Sequence, residues 1–312
     1  MTGYAAVIGG INLDICGTAE TMMLPGDSNP GAVSEALGGV GRNIAEVCAL
    51  LGADVSLVTA FSDDVFGAGL KKDCEMLGMD CSGSVTCSLP SSMYLAILDE
   101  KRDMHVAMSD MRILDHLKTE TAEQAARKCG KDDILVLDGN LSEDMLFHLA
   151  AHAACMSAAD PVSMAKARKF LPVMKHLKIF KPNRYEAEEL TGILPKDAAS
   201  GQKALNRFLE MGVSEVIISL AEEGVLLGTH QKKLWIRHRA VNVANATGGG
   251  DALMGAYLTA RSRQMTPEQA AVYGITAAVR TIEMSPQERR KLNDEEIRSR
   301  IADMNIEETE LV

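Results

Sequence analysis

Short apolar runs of strand character alternate with helical stretches along most of this 312-residue chain, and that alternation restricts the fold more than any other feature. Two strands that pair in parallel need a crossover between them, and a helix lying on the sheet face supplies it. Tyr4 to Gly10 reads as a buried strand ending in Gly-Gly that carries Asn12 and Asp14 into a loop. The run after Asn43 is helical, Val55 to Phe61 is a strand, and Val65 to Leu77 is a helix stopped by Gly78. The alternation resumes with a strand at Ile134 to Leu137, a helix at Glu143 to Ala154, a weak strand before Asp160 and a helix over about Ser163 to Met174. Strand IFKPN, helix YEAEELTG, helix Ala199 to Met211 and strand VIISL follow. The predicted class is α/β: a central, mostly parallel sheet flanked by helices, with ligands held where the strands end at its carboxyl edge.

Two regions break the pattern. Between about Ser91 and Met108 the runs MYLAILD and MHVAM flank the charged turn EKRD, as a hairpin would, and with the polar stretch Asp27 to Ser34 they predict a small separate sheet. Gly224 to Val243 reads as short antiparallel strands, followed by helices at Ala252 to Arg263 and Pro267 to Ile282. The acidic end MNIEETELV is expected to fray. With no internal repeat and no Pro-, Gly- or Ser-rich linker, a single domain over residues 1–312 is expected, its small sheet drawn from about 13–36 and 90–112.

The excess of 43 acidic over 32 basic residues argues against nucleic acid and for a small-molecule substrate. The start, MTGYAAVIGGINLDIC, lacks the pattern of a secretory signal, and no apolar run reaches bilayer length, so a cytoplasmic protein without membrane contact is expected. Seven scattered cysteines form no CxxC pair and read as free thiols, and the histidines form no HExxH pattern.

Two glycine clusters carry the chemistry. Asn245-Ala246-Thr247-Gly248-Gly249-Gly250-Asp251 opens an apolar helix, where free backbone N–H groups and the helix dipole favour an anion and Asp251 falls in the first turn. A carboxylate at such a position is expected to be a weak base, because the dipole stabilises its ionised form. Gly38-Gly39-Val40-Gly41-Arg42-Asn43-Ile44-Ala45 also introduces a helix, but its spacing fails the dinucleotide fingerprint, and neither cluster continues into the Lys-Ser or Lys-Thr of a Walker A loop. Glycines that admit a close backbone, with Asn43 as donor and acceptor, suit a hydroxyl-rich ligand. Read alone, an Asp placed like Asp14 is more often a turn or cap residue and a lysine like Lys166 more often merely solvated, while the pair Asn183 and Glu186 serves equally as a helix start with a surface glutamate.

Taken together in order, Gly38 to Ala45, the run Lys181-Pro182-Asn183-Arg184-Tyr185-Glu186, and Thr247 to Asp251 resemble the two signatures and the Asn-x-x-Glu motif of the ribokinase-like (PfkB) family of carbohydrate and nucleoside kinases. Within it, Asp27-Ser28-Asn29-Pro30-Gly31, Asp160-Pro161-Val162-Ser163 with Lys166, and Asn245 in place of the usual Asp resemble the pseudouridine-phosphorylating subgroup. Ala221, where a nucleotide-loop glycine is common, and Arg112 depart from the pattern. The resemblance implies ATP-dependent phosphorylation of a hydroxymethyl group, with Mg²⁺ and, in some members, a monovalent cation such as K⁺. It implies Asp251 as catalytic base with Gly248, Gly249 and Gly250 as an anion hole, and Asn12, Asp14, Gly39, Asn43 and Asn140 on the substrate side. Asn183, Ser219, Gly224 and Lys166 would serve the nucleotide, and Glu186 the metal. The small sheet would be a lid and, by analogy, a homodimer interface. A kinase for ribose or another nucleoside, or a binding protein without catalysis, are the alternative readings.

Overall fold

The computed structural model describes residues 3–239, 241, 243–245, 247–285 and 288–311; Ala246, inside the second glycine cluster, lies outside them. The first part of the chain forms β1 (Tyr4–Ile8), β2 (Asn12–Ala19), β3 (Gly31–Gly38), α1 (Val40–Leu50), β4 (Asp54–Val58), β5 (Ala60–Ser62), α2 (Val65–Met76), β6 (Val85–Cys87), β7 (Met93–Leu98) and β8 (Met104–Asp110). The middle forms α3 (Thr119–Ala126), β9 (Ile134–Asp138), α4 (Glu143–His152), β10 (Met156–Asp160), α5 (Met164–Ala167), β11 (Ile179–Phe180), α6 (Arg184–Thr191), α7 (Ala198–Glu210) and β12 (Glu215–Ser219). The last part forms β13 (Val225–Thr229), β14 (Lys233–Arg237), α8 (Gly249–Ser262), α9 (Pro267–Glu283), α10 (Asp294–Arg300) and β15 (Glu307–Glu310).

Nine strands make the main sheet in the order β15-β14-β13-β12-β11-β10-β9-β1-β4. From β4 to β12 neighbours run parallel; β13, β14 and β15 add on antiparallel. Parallel strands covered on both faces must be apolar throughout, and Ile134 to Leu137 are all buried accordingly. One face packs against α1, α8, α9 and α10 through residues such as Ile44, Tyr257, Tyr273 and Ile297. The other carries α3, α4, α6 and α7, where Phe170, Phe180 and Phe208 stack in series at centroid distances of 5.4 and 5.7 Å. A second sheet, ordered β3-β2-β7-β8, stands apart from the first.

The structure differs from the sequence reading at five places. Asn12 and Asp14 lie on β2, in the small sheet, not in a loop, because Leu13 to Thr18 find parallel partners at Met93 to Leu98 far along the chain. The strand expected over Val55 to Phe61 divides into β4 and β5, and β5 pairs with β6 in a separate ladder. The helix expected over Ser163 to Met174 breaks into α5 and two 3-10 turns. The acidic end does not fray: Glu307 to Glu310 pair with β14, and Leu311 is buried. Strand pairing is made by the backbone, so exposed glutamates do not oppose it, and on an edge they discourage further strands from adding. Helix α3, whose buried residues are only alanines, and helix α10, mostly charged, had no run of large apolar residues to reveal them.

Candidate active site

The carboxyl ends of β1, β9, β10 and β11 meet the amino ends of α1 and α8. Asp138, the last residue of β9, is fully buried and organises one side of this edge. Its Oδ2 accepts the N–H of Gly10 at 2.7 Å and of Gly41 at 2.9 Å, and its Oδ1 accepts the N–H of Asn140 at 2.9 Å. One carboxylate thereby ties the turn after β1, the start of α1 and the turn after β9. Burial raises its pKa and these bonds oppose the rise. Gly39, with φ 100, sits where a Cβ would stand 2.5 Å from the carbonyl oxygen of Gly10, so only glycine allows the approach.

Asn12 donates through Nδ2 to Asp14 Oδ1 at 2.5 Å, and desolvation lifts the Asp14 pKa. Asn140 accepts from Lys166 Nζ at 2.5 Å. Lys166, expected with the nucleotide, therefore groups with Asn140 and Asp138, and burial lowers its pKa while Asp138 opposes the shift. Arg42 is buried between Glu46 and Asp73, and its Nη1 donates to Asn43 Oδ1 at 3.1 Å. That bond turns the amide so that Asn43 Nδ2 reaches Asp251 Oδ2 at 2.8 Å, joining α1 to α8.

Around Asp251 the charges are unbalanced. Lys181 Nζ and Asp160 Oδ2 form a buried pair at 2.9 Å, and a Cβ on Gly250 would stand 3.6 Å from the same ammonium. Burial pulls the Lys181 pKa down, but Asp160, Glu186 and Asp251 leave it above its ordinary value. Burial and the charge of Asp160 push Asp251 up to about 7, against the pull of Asn43 and Lys181. Glu186 is raised to about 7 by the same two causes. The expectation of a weak base at the helix start is thus corrected. Desolvation and a neighbouring carboxylate outweigh a dipole worth about 1 kcal/mol or less.

Asn183 caps α6, its Oδ1 accepting from the N–H of Tyr185 and of Glu186 at 2.9 Å, while Glu186 Oε2 accepts the Asn183 N–H at 2.7 Å. The helix-start reading was right in geometry, but Glu186 is only 3% exposed and faces the charge cluster rather than solvent. Ser219 pairs with Asn183 across the strand ends, its N–H donating to Pro182 at 3.0 Å. At Gly224, φ 87, a Cβ would stand 2.1 Å from the carbonyl oxygen of Ile236, which accounts for glycine there. Ala221 has φ 53, so the position where glycine is common does hold a left-handed backbone. Val162, β-branched at φ 69, is held by its N–H bond to Asp160 Oδ1 at 2.8 Å, the kind of strain that collects at functional sites. Arg112 points away into solvent, paired with Asp110 at 2.6 Å, and Asn29 folds back on Leu24.

Sequence reading gave no role to Asp138 or Lys181. Both end strands, in ILVLDGN and IFKPN, and a polar residue closing an apolar run at the carboxyl edge was the signal available. Chemically, a carboxylate poised near neutrality beside a helix start that no described side chain caps can take a proton from a hydroxyl while an anion sits on the turn.

Residues 2–286 match the pfkB family carbohydrate kinases. The chain is 32% identical over 254 residues to a pseudouridine kinase of Escherichia coli K12, covering 80% of this chain and 81% of that one. It is 26% identical to a ribokinase of Haemophilus influenzae, covering 87% and 90%. A ribokinase structure from Thermotoga maritima superposes with a TM-score of 0.83 at 24% identity, covering 97% of this chain and all 100% of that one, a likeness of fold.

Proposed function

The chain belongs to the pfkB family of carbohydrate kinases, and from that premise we propose that it transfers the terminal phosphoryl group of ATP to the 5′-hydroxyl of pseudouridine, releasing ADP. The observation that carries the reading is Asp251, raised to about 7 at the start of α8 and aimed by Asn43. Asp251 accepts the hydroxyl proton, the freed oxygen attacks the terminal phosphorus, and the bond to the bridging oxygen breaks to leave ADP. Gly248, Gly249 and Gly250 present backbone N–H groups to the charge that gathers on the phosphoryl oxygens. The small sheet closes as a lid and keeps out water, which would otherwise compete as acceptor.

Among the described residues no three acidic, cysteine or histidine side chains are grouped to hold a metal by themselves; Glu186, whose carboxyl the charge of Asp160 raises, fits instead the one or two carboxylates by which Mg²⁺ is held together with substrate phosphates. Glu186, with Asp160 nearby, would hold Mg²⁺, which when bound neutralises phosphate charge. Asn183 and Ser219 lie on the nucleotide side, and K⁺ is an optional addition. On the substrate side, Asp14 faces the ribose hydroxyls with Asn12, Gly39, Asn43 and Asn140. We read residues 1–312 as one domain with lid segments at about 13–36 and 90–112, and the protein as cytoplasmic; among the described residues no helix is long and apolar enough to cross a membrane.

The sheet register supports a homodimer through the lid. Asp14, Cys16, Tyr94, Ala96 and Ser109 share one face, whereas Ile15, Val33, Leu95, Ile97, Val106 and Met108 share the other, with Glu35 and Asp110 among them. Of the second set, Val33, Val106 and Met108 are exposed.

Identity to the pseudouridine kinase supports the base, and the ribokinase supports ribose as the second reading. An ADP-release assay over pseudouridine, uridine, ribose and adenosine at saturating MgATP tests both. Pseudouridine is expected to give the highest kcat/KM; equal values with uridine, or a higher one with ribose, would overturn the pseudouridine reading. No ADP release with any of them would favour a binding protein.

A further inference from the structure

We propose that Arg289 is a built-in cation for the terminal phosphoryl group of the nucleoside triphosphate, an inference that rests on the kinase reading. A Cβ added to Gly248 would stand 3.1 Å from Arg289 Nη1, so the guanidinium lies against the residue that caps α8. Its Nη2 donates to the carbonyl oxygen of Asn245 at 3.3 Å, on the other arm of the same turn. The side chain is half-buried, yet it makes no ion pair among the described residues, and its buried Nε has no partner among them. Desolvation lowers its pKa, and Glu46 and Asp251 oppose that shift from a distance.

Holding a guanidinium in this state is costly unless an anion completes it. Its neighbours show how the chain normally solves the problem. Arg290 pairs with Asp73 at 2.5 Å and approaches Glu46 at 3.8 Å, and Leu292 is buried, so the short 3-10 turn at Arg289–Lys291 is fastened to the body of the protein. Glu288 turns away to Ser285 at 2.8 Å. Arg289 is left directed at the glycine turn, its Nε without a partner among the described residues. A planar fork of N–H donors matches phosphate oxygens, and a fixed cation beside the transferring group stabilises the charge that the backbone N–H groups of the turn also meet. The chemical class recognised is the third phosphate, which a diphosphate lacks.

The test compares binding of ADP and of a non-hydrolysable imido analogue of ATP to the full chain and to Arg289→Met, Arg289→Gln and Arg289→Lys, each checked for an unchanged melting profile. Gln keeps N–H donors without charge, so it reports on the charge even if Met proves poorly folded. The Met and Gln variants are expected to weaken the triphosphate analogue by about tenfold or more while ADP changes by less than about twofold, with Lys in between. Turnover of the best substrate should fall in the same order. Equal weakening of both nucleotides, no weakening, or a Lys variant no better than Gln would overturn the proposal. Binding is measured without an acceptor, so a wild type that binds both nucleotides but phosphorylates nothing would count against the kinase reading alone.

Discussion

At Asp251 the helix dipole pulls against burial and the charge of Asp160, and the latter two win. Because the native carboxyl is raised to about 7, the folded chain keeps a proton that the unfolded chain would release near pH 4. As pH rises between those values the native state therefore loses stability relative to the unfolded one. Asp251→Asn removes that loss, so the variant should melt above the wild type by more at pH 8 than at pH 5; an equal difference at both would show that Asp251 is not raised. The same substitution should cut kcat by about 10²–10⁴-fold while leaving nucleotide binding largely intact. In the wild type, kcat/KM should climb through about pH 7 to a plateau, and a flat profile from pH 5.5 to 8 would remove Asp251 as the base. The residue itself was legible in the sequence as an Asp after glycines. Its ionisation was not, because Asp160 and Lys181 are brought to it only by folding.

At the scale of elements, the site is built from strand ends. β10 delivers Asp160, the two-residue β11 delivers Lys181, and α6 turns Glu186 inward. Asp160 and Lys181 are each followed by a turn or helix start rather than more strand. Lys181→Met should therefore do more than remove a contact, since Asp160 would stay buried without its partner. A loss of about 3–5 kcal/mol is expected from chemical denaturation. The pH midpoint of kcat/KM should also move upward, because Lys181 is one of the influences holding Asp251 down. Adding Asp160→Asn should restore part of the stability; if the double variant is no more stable than Lys181→Met, the pair is not the source of the loss. The motif around Asn183 was legible because a capping box is local, spanning one turn. The Lys181 to Asp160 pair joins adjacent strands whose residues are distant in sequence, and no local pattern announces it.

For the whole molecule, the two faces of the small sheet differ in chemistry. One face carries Asp14, and the opposite face leaves Val33, Val106 and Met108 in solvent. Val106→Glu with Met108→Glu replaces two exposed apolar side chains of that face by charge without touching Asp14. Sedimentation equilibrium should give a dimer for the wild type and a monomer for the double variant. Identical masses for the two proteins would exclude this face as the interface. The alternation of polar and apolar residues in MHVAMSD was visible in the sequence, but which of its residues share a face with Asp14 depended on pairing with β7 and, through it, β2.

By itself, the sequence determined the α/β class, the family, the two glycine clusters and the order of most elements, because strand and helix periodicities and glycine turns are local properties of a few neighbouring residues. Tertiary structure alone decided that Asp138 anchors two turns and the start of α1, that Arg42 orients Asn43 onto Asp251, and that the acidic end becomes β15. It also decided that Arg289 lies against Gly248. Those facts depend on separate elements meeting at one sheet edge, where burial removes water and lets a few charges set one another's protonation. Neither the meeting nor the desolvation is written in any one segment of the chain.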